Sequence, residues 1–277
     1  MASSWLRLGE ENFGSRFSAG GEICILLLEN GFHFGGALWK WQSVEMAIVC
    51  GRINLWVSAA ELAEVFDLFC EPKWSPRYNL GPMQSVLTIR TNPQGLRQAE
   101  PMQWGLVPSW SKSASQGPPL NNARGETVAT KPTFSESFRR RRCLIPANGF
   151  YEWKRLDNKS KQPWNLFRAD GKPLAMAGIW DRWQAPDGNW LESCAVITTT
   201  ANAFMAEIHD RMPVILNADS WSDWLASDET NVESLLKLVR PCPDEWLRGT
   251  PVSAMVNQIR HDSAECIQPV KETRTLF

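Results

Sequence analysis

Apolar and polar positions fall into two regimes that meet near residue 50. Residues 1–49 are rich in Gly and Ser, hold no sustained periodicity and include the stretch Asn30-Gly-Phe-His-Phe-Gly-Gly36. Their longest apolar run near the start, Ile23–Leu28, is too short to span a bilayer. Downstream the pattern sharpens. Leu62, Val65, Phe66 and Phe69 recur at i, i+3, i+4 and i+7, the stripe of an amphipathic helix, and Ser58 with Glu61 forms a capping box ahead of it. Thr133 with Glu136 opens a second, short helix that ends in Arg139–Arg142, where cations suit the negative end of the helix dipole. Thr230 with Glu233 marks a third, carrying Leu235, Leu236 and Val239. Further helices are expected from about Ala201 to Ile208 and around Trp221–Leu225.

Between these helices lie strand-like runs: Val86–Arg90, Met102–Val107, Phe150–Trp153, Trp164–Arg168, Leu174–Trp180, Cys194–Thr199 and Val214–Leu216. Asp170-Gly171 and Asp187-Gly188 sit between such runs and predict antiparallel hairpins. The order does not alternate strand with helix, so the expected class is α+β. It is a β-rich single domain with mostly antiparallel, curved sheets flanked by short helices. That domain spans 50–277, and 1–49 is an atypical N-terminal extension.

Composition narrows the function classes little. Apolar residues make up 43% and charged residues 21%, ordinary for a folded chain. The net charge is −1, and residues 1–49 hold three basic and five acidic side chains, which leaves 26 against 25 for the rest. Any nucleic-acid contact must therefore use a local basic surface. The fifteen tryptophans suit packing first, and stacking on flat ligands second. The seven cysteines form no C-x-x-C pair, which argues against a zinc knuckle and predicts reduced, mostly buried thiols in a cytoplasmic protein. No metal-ligand spacing is present, so no metal is expected.

Four segments carry candidate chemistry: Val49-Cys-Gly-Arg52, Asn121-Asn-Ala-Arg-Gly-Glu-Thr127, Gly149-Phe-Tyr-Glu-Trp-Lys154 and Ile208-His-Asp-Arg-Met-Pro213. Cys50 is either a nucleophile, with Arg52 favouring its thiolate, or an inert buried thiol. Glu152 lies in a strand between Tyr151 and Trp153, and alternation sends its carboxylate to the opposite face. An apolar face there raises its pKa and makes it a proton donor near neutrality, whereas an exposed face leaves it solvated. His209 leaves a helix for a loop. Asn122 and Arg124 read as loop residues after Pro118-Pro119. Arg139–Arg142 is either a solvated helix end or a phosphate contact.

These segments, in this order, resemble the SOS response-associated peptidase (SRAP) family of abasic-site processing proteins. The resemblance runs from Cys50 nearly to the end of the chain. It includes Arg77-Tyr-Asn-Leu-Gly-Pro82, Trp104-Gly-Leu-Val-Pro-Ser-Trp110, Lys131-Pro-Thr-Phe134, Arg142-Cys-Leu-Ile-Pro146, Ala177-Gly-Ile-Trp180, Val252-Ser, Val256-Asn and Pro269-Val270. It implies a covalent trap for abasic sites in single-stranded DNA, a lyase-type chemistry joined to autopeptidase activity, which requires no metal, organic cofactor or membrane; the sequence leaves the oligomeric state open, with a monomer as the expectation. An amino-terminal cysteine condenses through its amine with the ring-opened sugar aldehyde, and its thiol then closes a thiazolidine. In that scheme Cys50 supplies both nucleophiles, Asn122 orients the amine, Glu152 shuttles protons and His209 serves the sugar oxygen. Arg52, Arg124 and Arg211 would hold flanking phosphates, with Trp110 stacking near the strand.

The sequence departs from the family at the decisive place. Family members begin Met-Cys-Gly-Arg, whereas here Cys50 is internal and its nitrogen is an amide, which forms no imine. Self-cleavage before Cys50, or a translation start at position 49 through a GTG codon, would expose the amine. Two smaller departures are Gly81, where alanine is common, and Ser111, where a second aromatic can follow Trp110. The competing readings are a cysteine peptidase built on Cys50, His209 and Asn122, and a non-covalent DNA-binding module.

Overall fold

The structure, a computed structural model, describes residues 50–114, 117–157, 160–226 and 231–270. All of these belong to one compact unit, Ala47–Phe277. The strands assort into two sheets. Numbered along the chain, β1 (Ile53–Leu55), β2 (Arg77–Leu80), β7 (Gly149–Arg155), β8 (Lys161–Arg168) and β12 (Leu247–Pro251) form an antiparallel sheet in the order β12-β8-β7-β1-β2. The second sheet holds β3 (Ser85–Thr91), β4 (Arg97–Trp104), β5 (Asn122–Arg124), β6 (Arg142–Ala147), β9 (Leu174–Gln184), β10 (Trp190–Thr200) and β11 (Arg211–Pro213). Its path runs β11-β10-β4-β3-β6-β9, and β9 then pairs back onto β10, so five of its strands close into a small barrel. The β10–β4 and β10–β5 pairings are parallel. The expected α+β class, rich in antiparallel sheet, is what the chain adopts.

Strand alternation separates two cores. Leu87, Ile89 and Ile197 join a cluster with Leu62, Phe66, Phe138 and Trp224 from the helices. Their neighbours Val86 and Val196 join a second cluster with Trp104, Phe150, Leu166, Met205 and Cys50. Strands that are apolar on both faces are thereby buried on both faces.

Helices are short and locally capped. In α1 (Ala59–Phe66) the Ser58 hydroxyl accepts from the Glu61 amide at 3.1 Å, as the capping box predicts, and Leu62 and Phe66 are buried. Asp67 turns left-handed at φ +52° and ends the helix, so Phe69 leaves the stripe and is 69% exposed. That corrects its expected place in the core. In α2 (Ser135–Arg140) Phe134 occupies the cap position without a side-chain bond, so Thr133 does not cap it. The basic run also divides. Arg142 opens β6 and is buried, donating to the carbonyls of Phe138 and Trp224, while Arg141 lies 3.2 Å from Asp181. The next helix, α3 (Ala203–Ala206), is shorter than expected and begins after Asn202, whose side chain accepts from Met205 N. Trp221–Leu225 forms α4 as expected. The final α5 (Val232–Leu238) is capped by Asn231, and the proposed cap Thr230 lies outside the described residues.

Three strand expectations are corrected. Asp187-Gly188 does turn β9 into β10. Asp170-Gly171 instead carries the chain from one sheet to the other, since β8 pairs with β7 and β12. The run Val214–Leu216 follows β11 and contributes only a bridge from Ile215 to Met176. Asn122 and Arg124, expected in a loop, form β5 against Val196 and Thr198. Within the first sheet, buried Asn54 donates to Asn165 at 2.9 Å. Gly149 admits that pair, because a Cβ there would lie 2.6 Å from Asn165 Oδ1 and 2.7 Å from Leu166 O.

Candidate active site around Cys50 and Glu152

The antiparallel pairing of β1 with β7 sets Ile53 opposite Phe150, and beyond it the Arg52 carbonyl accepts from Tyr151 N at 2.9 Å. One step further the Cys50 amide donates to Glu152 Oε1 at 2.5 Å. Cys50 itself is fully buried and left-handed, at φ +48°, a backbone conformation that costs energy in a residue other than glycine.

Glu152 alternates with its aromatic neighbours as the pattern requires. Phe150 and Cys50 share the second core, whereas Tyr151 joins a small cluster with Val252 and Val256, and Trp153 packs against it. The carboxylate is 1% exposed. Burial, opposed by the Cys50 amide and reinforced by the charge of Asp210, raises its pKa from 4.5 to about 8. It therefore holds a proton that it can give up near neutral pH. The Cys50 thiol is pushed well above its ordinary value of 9.0, first by burial and then by Glu152. Arg52 does not promote its ionisation, and this corrects the expected role. Its guanidinium is turned to other partners: Nη1 donates to Asn79 Oδ1 at 3.0 Å and to Val256 O at 2.6 Å.

The segment after α3 brings a second set of groups toward Glu152, since Asp210 acts on its carboxylate. His209 Nδ1 accepts from Arg211 N at 3.1 Å, which leaves the ring proton on Nε2 as a donor. The Asp210 carboxylate also lies 3.0 Å from Nδ1, a pairing that needs a proton on that nitrogen. Burial lowers the imidazole pKa below 6.5, which favours the neutral ring; of its two tautomers the Arg211 N contact selects Nε2–H and the Asp210 contact Nδ1–H. The Arg211 fork holds Glu126 through both oxygens, at 2.5 and 3.0 Å, and Nη2 also donates to Thr198 O at 2.9 Å. Thr198 pairs in register with Arg124, which is exposed, and Val196 with Asn122, which is half-buried. The structure thus puts Cys50 in contact with Glu152, with Asp210 close enough to act on the carboxylate, while β5 with Asn122 and Arg124 and β11 with Arg211 each pair with β10.

Trp110 stands apart on the loop after β4, 66% exposed. The loop is tied down by Ser109 N on buried Asp181 at 2.9 Å, by Val107 N on Ser193 Oγ at 2.8 Å, and by Trp183 Nε1 on Ser111 O at 2.6 Å. Gly81 has a packing reason: a Cβ there would meet Ile259 Cδ1 at 2.4 Å. Sequence reasoning missed Asn79, Glu126 and Asp210 as partners of Arg52, Arg211 and Glu152, although each lies inside a quoted motif. Among the described residues, no group of three or more His, Cys, Asp or Glu is placed to hold a metal ion, and no helix is long and apolar enough to cross a membrane.

A family model described as SOS response associated peptidase (SRAP) matches residues 49–259. The abasic site processing protein YoqW of Bacillus subtilis (strain 168) is 37% identical over 223 residues, covering 79% of this chain and 99% of that protein. The abasic site processing protein YedK of Escherichia coli (strain K12) is 33% identical over 205 residues, covering 74% of this chain and 89% of that protein. A crystal structure of a protein from Bacteroides thetaiotaomicron superposes with a TM-score of 0.70, covering 80% of this chain and all 100% of that one. At 22% identity it speaks for the fold alone. The length of the family match and the identity to YoqW agree with the site's geometry, and the chain belongs to the SOS response associated peptidase family.

Proposed function

We propose that residues 50–277 form the catalytic unit of an abasic-site processing protein, which traps abasic sites in single-stranded DNA covalently once Cys50 is amino-terminal. The observation that carries this reading is the Cys50 nitrogen 2.5 Å from a buried carboxyl group whose pKa is about 8. With Cys50 at the terminus that nitrogen is an amine of ordinary pKa about 8, so amine and carboxyl share protons near neutrality. The neutral amine adds to the sugar aldehyde. Glu152 delivers a proton to the departing oxygen, water leaves, and an imine forms. The thiol then adds to the imine carbon while its proton passes to nitrogen, closing a five-membered thiazolidine at high effective concentration. One water is lost overall.

His209, as the Nε2–H tautomer, donates to the sugar oxygen during ring opening, and Asn122 orients the amine. Arg124 holds a phosphate, Arg211 does so when its fork leaves Glu126, and Trp110 stacks on a base. Hydrolysis of the peptide bond before Cys50, or a translation start at position 49, would expose the amine. A peptidase triad is disfavoured, because burial and then Glu152 push the Cys50 thiol well above its ordinary value, the reverse of an activated thiolate.

The test is denaturing electrophoresis with a single-stranded oligonucleotide carrying one abasic site. A chain starting at Cys50 is expected to give a shifted band that Cys50→Ala abolishes, and the uncleaved chain none. A band that survives Cys50→Ala would overturn the proposal.

A further inference from the structure

We propose that Arg52 works inward: with Asn79 and the C-terminal segment 255–262 it locks Cys50 against Glu152, which makes Asn79 a positioning residue for the covalent step. The inference rests on the function proposed above, because a lock matters most if Cys50 is a chain end. Chain ends fray unless tied down, and the β1–β7 ladder itself starts only at Ile53. Between Ile53 and the reacting nitrogen the backbone ties are Tyr151 N to Arg52 O and Cys50 N to Glu152. The Arg52 side chain supplies a third. Nη1 has two protons, and both are committed, to Asn79 Oδ1 and Val256 O, while Nη2 reaches toward Asn257 O at 3.5 Å.

A phosphate-binding arginine presents its fork outward. This one is turned into a bed of carbonyl oxygens, and burial lowers its pKa. Asn79 holds the bed together. It is fully buried and donates through Nδ2 to the carbonyls of Val256, Gln258 and His261, at 3.3, 3.1 and 2.7 Å. Asp262 accepts from Asn79 N at 2.9 Å, and Ile259 fills the space that Gly81 leaves open. The segment is thus fastened to β2, and β2 fastens the terminus through Arg52.

The experiment uses the full chain with a specific protease site before Cys50, cleaved after folding, as wild type and as Asn79→Ala. Two quantities are read: affinity for single-stranded DNA bearing a tetrahydrofuran abasic analogue, which has no aldehyde, and the single-turnover crosslinking rate at saturating abasic DNA. The lock predicts a rate lowered roughly ten- to hundredfold, as for a misplaced reacting group, with affinity unchanged within about twofold. Equal losses in both, a loss of affinity alone, or no loss overturns it. If Asn79→Ala does not fold, Gly81→Ala displaces Ile259 instead and is expected to give the same split. If wild type forms no adduct at all, the proposed function fails. The lock is then judged by hydrogen exchange at the Tyr151 amide, which donates to Arg52 O, expected to quicken in the variant and overturned if it does not.

Discussion

Replacing Glu152 by glutamine separates the energetic burden of the buried carboxyl from its chemistry. The group is 1% exposed, and its pKa is about 8 against an ordinary 4.5. The sign follows from which state holds the proton. Above pH 4.5 the unfolded chain has released it while the folded chain keeps it, so the group's contribution is fully favourable below the unfolded value. Stability is then lost as pH rises, levelling off once the folded pKa is passed. Each pH unit between the two values costs about 1.4 kcal/mol, or roughly 5 kcal/mol across the whole interval. A glutamine carries no such term. Relative to wild type, Glu152→Gln should therefore gain roughly 3 to 4 kcal/mol of unfolding free energy between pH 5 and pH 8, on the order of 10 °C in Tm for a domain of this size. Urea unfolding of both proteins at each pH measures the difference. A constant offset from the second amide proton does not matter; the slope does. A difference that stays flat from pH 5 to pH 9 would refute the assigned burial cost. Loss of crosslinking in the same variant is the expected functional counterpart.

Three further outcomes follow from individual contacts. Trp110→Ala removes an indole that is 66% exposed, so urea stability should stay within about 0.5 kcal/mol. Affinity for single-stranded DNA, read by fluorescence anisotropy, should fall by about 1–3 kcal/mol, and an unchanged affinity would remove it from the interface. Gly149→Ala places a Cβ 2.6 Å from Asn165 Oδ1 and should cost about 2–4 kcal/mol of stability in denaturant titration. Glu126→Gln weakens the carboxylate hold on Arg211 and frees its fork for phosphate. DNA binding should tighten at low salt, with a log–log salt slope steeper by about 0.7.

Long, strongly patterned elements are legible in the amino-acid pattern alone. Ser58 and Leu62–Phe66 gave α1, and the runs around residues 150, 176 and 196 gave β7, β9 and β10. Short or polar strands are not. Tripeptides such as Ile53–Leu55 and Asn122–Arg124 have no room for periodicity, and their strand character comes from partners distant in sequence. Asp170-Gly171 misled because a turn motif reports local backbone geometry and not which sheet receives the next strand. Cys50 and Glu152, singled out by residue type, do meet. The site's electrostatics are not legible, because the fate of Glu152 depends on which face is buried, and that of Arg52 on carbonyls some 200 positions away, |i−j| = 204.

The Asn54–Asn165 pair has a consequence for how Cys50 comes to face Glu152 at all. β1 is three residues long and meets β2 at an irregularity, so backbone pairing alone discriminates weakly between alignments. Sliding it by one position would strand two carboxamides in the interior, at about 1–3 kcal/mol each, and would carry Cys50 past its acid. The two asparagines act as an indexing pin for β1, and with it for the distance between Cys50 and Glu152.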